Sequence, residues 1–217
     1  CRTLTFALQQ ATPSRNVIRV LGGLVETPTA SLSIPLEVVF DGSNTALGKP
    51  VNVPLFALTA GGKLTVEGFT LSQPQAQSDP MISVVGGSSL RVSKSTLVSV
   101  QISDNNGTVE LRGITASATA SITLPLVTCN GGTLTASEST FNRMALEATN
   151  CQVTVSRSVF DERADDSVSA IGGVVIVENN LIIDALETSD AMSIVNAAPG
   201  STVRFNTFVN TSGVIAD

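Results

Sequence analysis

The densest group of side chains able to do chemistry lies in two short stretches. Asp161-Glu162-Arg163-Ala164-Asp165-Asp166 is one, and Asp184 with Glu187 and Asp190 is the other; together they hold seven of the 18 acidic residues. Clustered carboxylates could ligate Ca²⁺, a hard cation that takes roughly six to eight oxygens. They could also supply an acid/base pair for glycosidic cleavage. Asp161, Asp165, Asp166 and Asp184 are therefore the candidate Ca²⁺ ligands, and Glu162, Glu187 and Asp190 the candidate ligand-binding residues. Against both, the acids have no fixed mutual spacing and Arg163 sits among them, and acidic loops are more often simply solvated. Ca²⁺ is the one cofactor these residues admit; none is expected otherwise.

Other chemistry lacks parts. The chain has no His, Tyr or Trp, so there is no imidazole for proton transfer and no Tyr or Trp to stack on a sugar. Most of the eight Phe read as inward-facing. No Ser-His pair is possible, and no Gly-rich loop with Lys is present to cradle phosphate. Cys1, Cys129 and Cys151 lack metal-ligand spacing. Cys129 and Cys151 fall near the same turn of successive repeats but about three positions out of step. A disulfide and a pair of buried thiols both stay open, with buried thiols favoured.

The elements that must carry these loops are legible from a repeat. Apolar-x-apolar triplets begin at Leu64, Leu90, Val109, Leu134, Val153, Val175 and Val203. Six follow a Gly- or Asn-rich turn signal and the other follows Asn150-Cys151; Gly and Asn tolerate positive φ. Alternation with period two makes each unit a strand. Thr65, Arg91, Glu110, Thr135, Thr154, Ile176 and Arg204 take the outward slot. A second inward strand follows a bend, with Phe69, Ser95, Ile114, Ser139, Ser158, Asn180 and Phe208 in its first slot and Leu71, Leu97, Ala116, Phe141, Phe160, Ile182 and Asn210 in its next. Phe141 is then expected over Phe160 and Leu134 over Val153, with Ser139, Ser158 and Asn180 in a buried polar ladder. The intervals between triplets run 26, 19, 25, 19, 22 and 28. The surplus falls after the second inward strand, at 72–79, 117–123, 161–167 and 184–191, so four loops should leave one flank.

Stacked, bent, parallel strands describe a parallel β-helix. The chain resembles the right-handed parallel β-helix family, the pectate-lyase-like group, in Gly62-Lys63-Leu64-Thr65-Val66-Glu67-Gly68-Phe69-Thr70-Leu71 and in Gly173-Val174-Val175-Ile176-Val177-Glu178-Asn179-Asn180-Leu181-Ile182. The resemblance implies an all-β, right-handed solenoid, and the repeat count sets the expectation at eight or nine coils in one domain spanning 1–217. Enzymes of that group bind Ca²⁺ and cleave acidic polymers, and its lyases employ a cationic base, for which Arg143, Arg157 or Arg163 would be the candidates. Arg157, however, aligns one coil above Glu138, as Arg91 does beside Glu110, and pairing across coils is the plainer use.

At the start, Leu4, Ala7, Leu8 and Ala11 share one helical face, Thr3 can cap the helix and Pro13 stops it. A short amphipathic helix at 3–12 is expected to cap the N-terminal end, with coils over 17–217. Cys1-Arg2-Thr3-Leu4-Thr5-Phe6-Ala7-Leu8-Gln9-Gln10-Ala11, followed by Val17-Ile18-Arg19-Val20-Leu21-Gly22-Gly23, looks like the opening of secreted bacterial β-helix proteins, in which that Cys is internal. A lipidated N-terminal Cys is the other reading of Cys1. The chain is expected to be a segment of a longer protein.

Apolar residues make up 42% and charged ones only 14%, which suits a dry β-rich core. The net charge of −6 disfavours nucleic acid and anionic membrane surfaces as partners. No apolar run approaches the roughly 20 residues of a membrane span. The expected function is that of a secreted or cell-surface β-helix segment, structural or binding rather than enzymatic, serving adhesion or carbohydrate contact. Its expected partner is a polysaccharide or a cell-surface component. The alternative is a polysaccharide lyase or glycoside hydrolase whose active site is incomplete in this segment.

Overall fold

The computed structural model describes residues 3–21, 25–26, 29–41, 46–47, 53–72, 80–118, 125–161, 166–183, 190–211 and 213–216. Strands dominate at 57% against 4% helix, and the fold is an all-β parallel solenoid with a short N-terminal helix. One turn shows how the sequence builds it. In Thr133–Ser137, Leu134 and Ala136 point inward and are fully buried while Thr133, Thr135 and Ser137 alternate outward. Glu138, at φ 54°, takes the chain round a corner into Thr140–Asn142, whose Phe141 is fully buried. A short second corner leads to Leu146–Thr149, and Asn150, at φ 55°, turns the chain onto the next level. Residues near φ +55° reverse the chain sharply within one position, a conformation Gly and Asn reach at least cost.

Repetition of this turn gives three sheets, each with nine parallel strands in which every strand pairs with its equivalents one turn before and after. Register holds at the expected positions: Leu64 pairs with Leu90, Leu90 with Val109, Val109 with Leu134, Leu134 with Val153 and Val153 with Val175. Phe141 pairs with Phe160. The inward columns close into one hydrophobic core that runs the length of the molecule.

The third sheet was not anticipated. Its strands, such as Ile82–Val85, Ile102–Asn105, Val127–Asn130 and Met192–Val195, lie just ahead of the Gly and Asn turn signals. Their inward pairs (Ile82 and Val84, Val127 and Cys129) carry the same apolar-x-apolar pattern as the triplets that follow the turns.

The number of coils is a correction. About six turns are regular, rather than eight or nine. They run from Lys63 to Val195; the levels before them contribute second-sheet strands of only two residues, Val25–Glu26 and Ala46–Leu47, and the last level is exposed. The last triplet is also out of register. Val203 pairs with Val177, not with Val175, so the position facing Val175 is Ser201, whose Oγ accepts from Val175 N at 3.0 Å. Every later residue shifts by two. Phe208 pairs with Ile182, Asn206 takes the slot above Asn180, and Phe205 leaves the core for the corner, 74% exposed.

The helix spans Leu4–Gln9, with Thr3 as N-cap accepting Phe6 N–H through its side chain at 3.2 Å. Leu4 and Leu8 join the core while Phe6 faces solvent. No helix among the described residues is long and apolar enough to cross a membrane.

Cys129 and Cys151 are disulfide-bonded, with Cα atoms 6.3 Å apart, which overturns the preference for free thiols. The offset that argued against pairing is absorbed by the corner. Cys129 registers with Ala148, and the turn at Thr149-Asn150 swings Cys151 back into the interior beside it.

Candidate functional site

Of the predicted acidic residues, Asp161, Asp166 and Asp190 are described, and they fall between second-sheet and third-sheet strands. Ser72, Ser117 and Asp161 end second-sheet strands within a single column, through Val98 and Asn142, and the long connections leave from that column. Glu162, Asp165, Asp184 and Glu187 lie outside the described residues, as does Arg163. Asp166 and Asp190 stand two residues ahead of the register pair Val168 and Met192, so they occupy the same position on adjacent turns. Asp161 ends the strand Val159–Asp161, and its carbonyl accepts from Arg143 N at 3.0 Å. Among the described residues, no three acidic or Cys side chains group as a metal site.

A different corner, between the first and second sheets, is described in full over seven turns. Gly68, Lys94, Gly113, Glu138, Arg157, Asn179 and Phe205 form its column, each with φ between 48° and 74°. Each of the first six donates its backbone N–H to the residue before the corner on the next turn, from Gly68 N to Ser93 O through Asn179 N to Arg204 O. The residue after the corner turns inward. Ser139 Oγ accepts from Ile114 N, Ser158 Oγ from Ser139 N, Asn180 Oδ1 from Ser158 N and Asn206 Oδ1 from Asn180 N, at 2.9 to 3.3 Å. This is the expected polar ladder, extended by one rung. It satisfies backbone donors that the bend removes from the sheets, and buried donors must be satisfied.

Outside the ladder runs a strip of ion pairs. Lys94 Nζ lies 2.8 Å from Glu67, Arg91 Nε 3.5 Å from Glu110, and Arg204 Nη2 2.8 Å from Glu178. Glu138 receives Arg157 at 3.1 Å and Arg112 at 3.3 Å, and these hydrogen bonds, Arg157 first, hold its carboxyl below the ordinary range. Exposed pairs of this kind are screened by solvent and contribute little to stability. The pairings expected of Arg157 and Arg91 are therefore present. Two shallow depressions open along the strip. One, of about 330 Å³, lies over Gly113 between Lys94 and Glu138, with Glu67, Arg91 and Arg112 around it. The other, of about 420 Å³, is lined by Arg157, Asn179, Leu181, Phe205 and Thr207.

A third feature is sealed inside. Asp104 is 1% exposed, between Val84 and Cys129 in an inward column. Its Oδ1 accepts from Gly107 N at 2.7 Å, and its Oδ2 lies 3.5 Å from Cys129 Sγ. Burial pushes the carboxyl above its ordinary value, against the Gly107 N–H, which lowers it. A Cβ on Gly107 would come within 2.7 Å of Oδ1, so glycine leaves the room the carboxyl needs. Shielded from solvent, this group is a structural acid.

The second sheet shows a regular outer face. Thr70, Thr96, Thr115 and Thr140 are successive register partners, all pointing outward. Their side chains therefore recur at the strand spacing of about 4.8 Å.

Sequence reasoning missed Phe205 and Asn179 as surface features. The pattern Asn206-Thr207-Phe208, which repeats Asn180-Leu181-Ile182, was the available signal for the correct register. No known protein-family model matches the chain, and no curated protein matches it in sequence.

Proposed function

We propose that the chain is a non-catalytic, extracytoplasmic wall segment that contacts polysaccharide. The observation that carries this reading is the register of polar side chains on a rigid scaffold: Thr70, Thr96, Thr115 and Thr140 on one face, and the paired charges of the neighbouring corner beside them. A surface whose donors and acceptors recur at one spacing suits a ligand that is itself a repeat. Because backbone and side chains are held in place before binding, little ordering entropy is lost on contact. The Cys129–Cys151 disulfide supports an oxidising compartment. The likeness to secreted pectate-lyase-like solenoids, and the capping role of the N-terminal helix, belong to the same reading.

Electrophoresis through gels containing a neutral glucan, xylan or polygalacturonate tests it. Retardation by at least one polymer, without ultraviolet absorbance from unsaturated products, is the expected result. Free migration through all of them would overturn carbohydrate contact, and product absorbance would replace this reading with that of a lyase.

A further inference from the structure

Phe205 departs from what the fold asks of its position. The corner column elsewhere holds Gly, Lys, Glu, Arg or Asn, whereas Phe205 places a bulky ring at φ 58° with 74% of its surface in solvent. A single exposed apolar residue is ordinary. One that also sits in the left-handed region is strained without a burial gain, and such strain gathers at ligand contacts.

The surroundings give the ring a partner chemistry. Arg204 stands 5.6 Å from the ring centroid and is itself held by Glu178 through Nε at 2.9 Å, so the ring is oriented rather than free. Beside it opens the depression of about 420 Å³. The Asn179 amide and Thr207 hydroxyl reach its rim with no hydrogen-bond partner among the described residues, and Arg157 lies one turn away. One flat apolar surface and a rim of donors and acceptors match a molecule with an apolar face and an edge of hydroxyls. Both cations at the notch already face carboxylates, Arg157 with Glu138 and Arg204 with Glu178, so an acidic sugar meets no unpaired charge.

We propose that this notch is a subsite for a neutral pyranose, its C–H face stacked on Phe205 and its hydroxyls bonded to Asn179, Thr207 and Arg157. The proposal rests on the reading of the wall as a carbohydrate contact surface and assigns that surface a ligand class and a position. The openness of the notch suits one residue of a longer chain.

Calorimetric titration of the whole chain with cellohexaose and with a galacturonate hexamer provides the test. The wild type is expected to bind cellohexaose, Phe205→Ala to weaken that binding about tenfold, and Phe205→Trp to restore it. Asn179→Ala should weaken it by a smaller factor. Circular dichroism and melting curves of each variant confirm an intact fold, which an exposed site predicts. Equal cellohexaose binding by Phe205→Ala, or binding of the galacturonate hexamer alone, would overturn the subsite while leaving carbohydrate contact standing. Binding of neither sugar would overturn the subsite, and carbohydrate contact falls with it if none of the gel polymers retards the chain.

Discussion

Phe160 lies on Phe141 with ring centroids 4.6 Å apart and planes 18° from parallel, the two being register partners on adjacent second-sheet strands. Both are fully buried, so neither can be trimmed without leaving a void. Phe160→Ala is expected to lower stability by about 3–5 kcal/mol in urea unfolding. Phe160→Leu should cost clearly less, because more of the cavity stays filled. Similar losses from the two variants would show that the column is not close-packed.

The polar ladder should be costlier to break at Asn180 than at Ser139. Asn180 accepts from Ser158 N and donates to Val155 O and Asn206 Oδ1, all within 3.0 Å. Ser139 Oγ accepts from Ile114 N and donates only to Ser137 O. Each buried group left unpaired costs about 1–3 kcal/mol. Asn180→Leu is therefore expected to destabilise more than Ser139→Ala, measured as the shift in unfolding midpoint. The reverse order would place the ladder's weight elsewhere.

The Cys129–Cys151 bond closes a separation of 22 residues, which constrains the unfolded chain by about 3 kcal/mol. Both residues are at most 1% exposed. Reductant should thus leave the native protein unchanged over hours and cleave the bond rapidly in urea, as followed by thiol labelling. Prompt labelling of the native state would contradict the burial.

Asp104 gives stability a pH dependence of known sign. Its carboxyl holds a proton to higher pH in the folded state than the ordinary 3.8 of the unfolded chain. Its contribution is complete below 3.8 and is lost as pH rises through the folded value, above which the protein bears a buried carboxylate. Asp104→Asn keeps an acceptor for Gly107 N–H and cannot ionise. The variant is expected to gain on the wild type as pH rises above 3.8 and to lose that advantage below it. A constant difference across pH would show that the carboxyl does not titrate in this window.

Phe205→Gly should raise stability by about 1 kcal/mol, since glycine takes a φ near 58° without strain and little burial is forfeited. Thermal melting reads this directly. A loss of stability would mean that the ring contributes to the fold.

Column contacts were legible because they repeat a side-chain type. Leu134 over Val153, Phe141 over Phe160 and the Ser139, Ser158 and Asn180 ladder all follow from aligning like with like. The final turn broke that rule in both directions. Ser201 is polar yet faces inward, its Oγ donating to Ala198 O at 2.7 Å, while Phe205 is apolar yet faces out. Hydrophobic pattern alone therefore slid the register by two. The disulfide was misjudged because Cys129 and Cys151 approach across a corner, where distance along the chain and distance in space part company. The surface notch stayed hidden for the same reason, since it exists only once Phe205 is placed on the corner.

The corner column makes the outside of this molecule rewritable. Each of the first six corner residues gives its backbone to the turn and its N–H to the next level, and leaves its side chain outside the core. Glycine, lysine, glutamate, arginine, asparagine and phenylalanine occupy equivalent sites over one uninterrupted core. In a stack where each level feels mainly its neighbours, surface chemistry can drift one level at a time without renegotiating the interior. A lineage of such chains can change its surface while keeping its architecture.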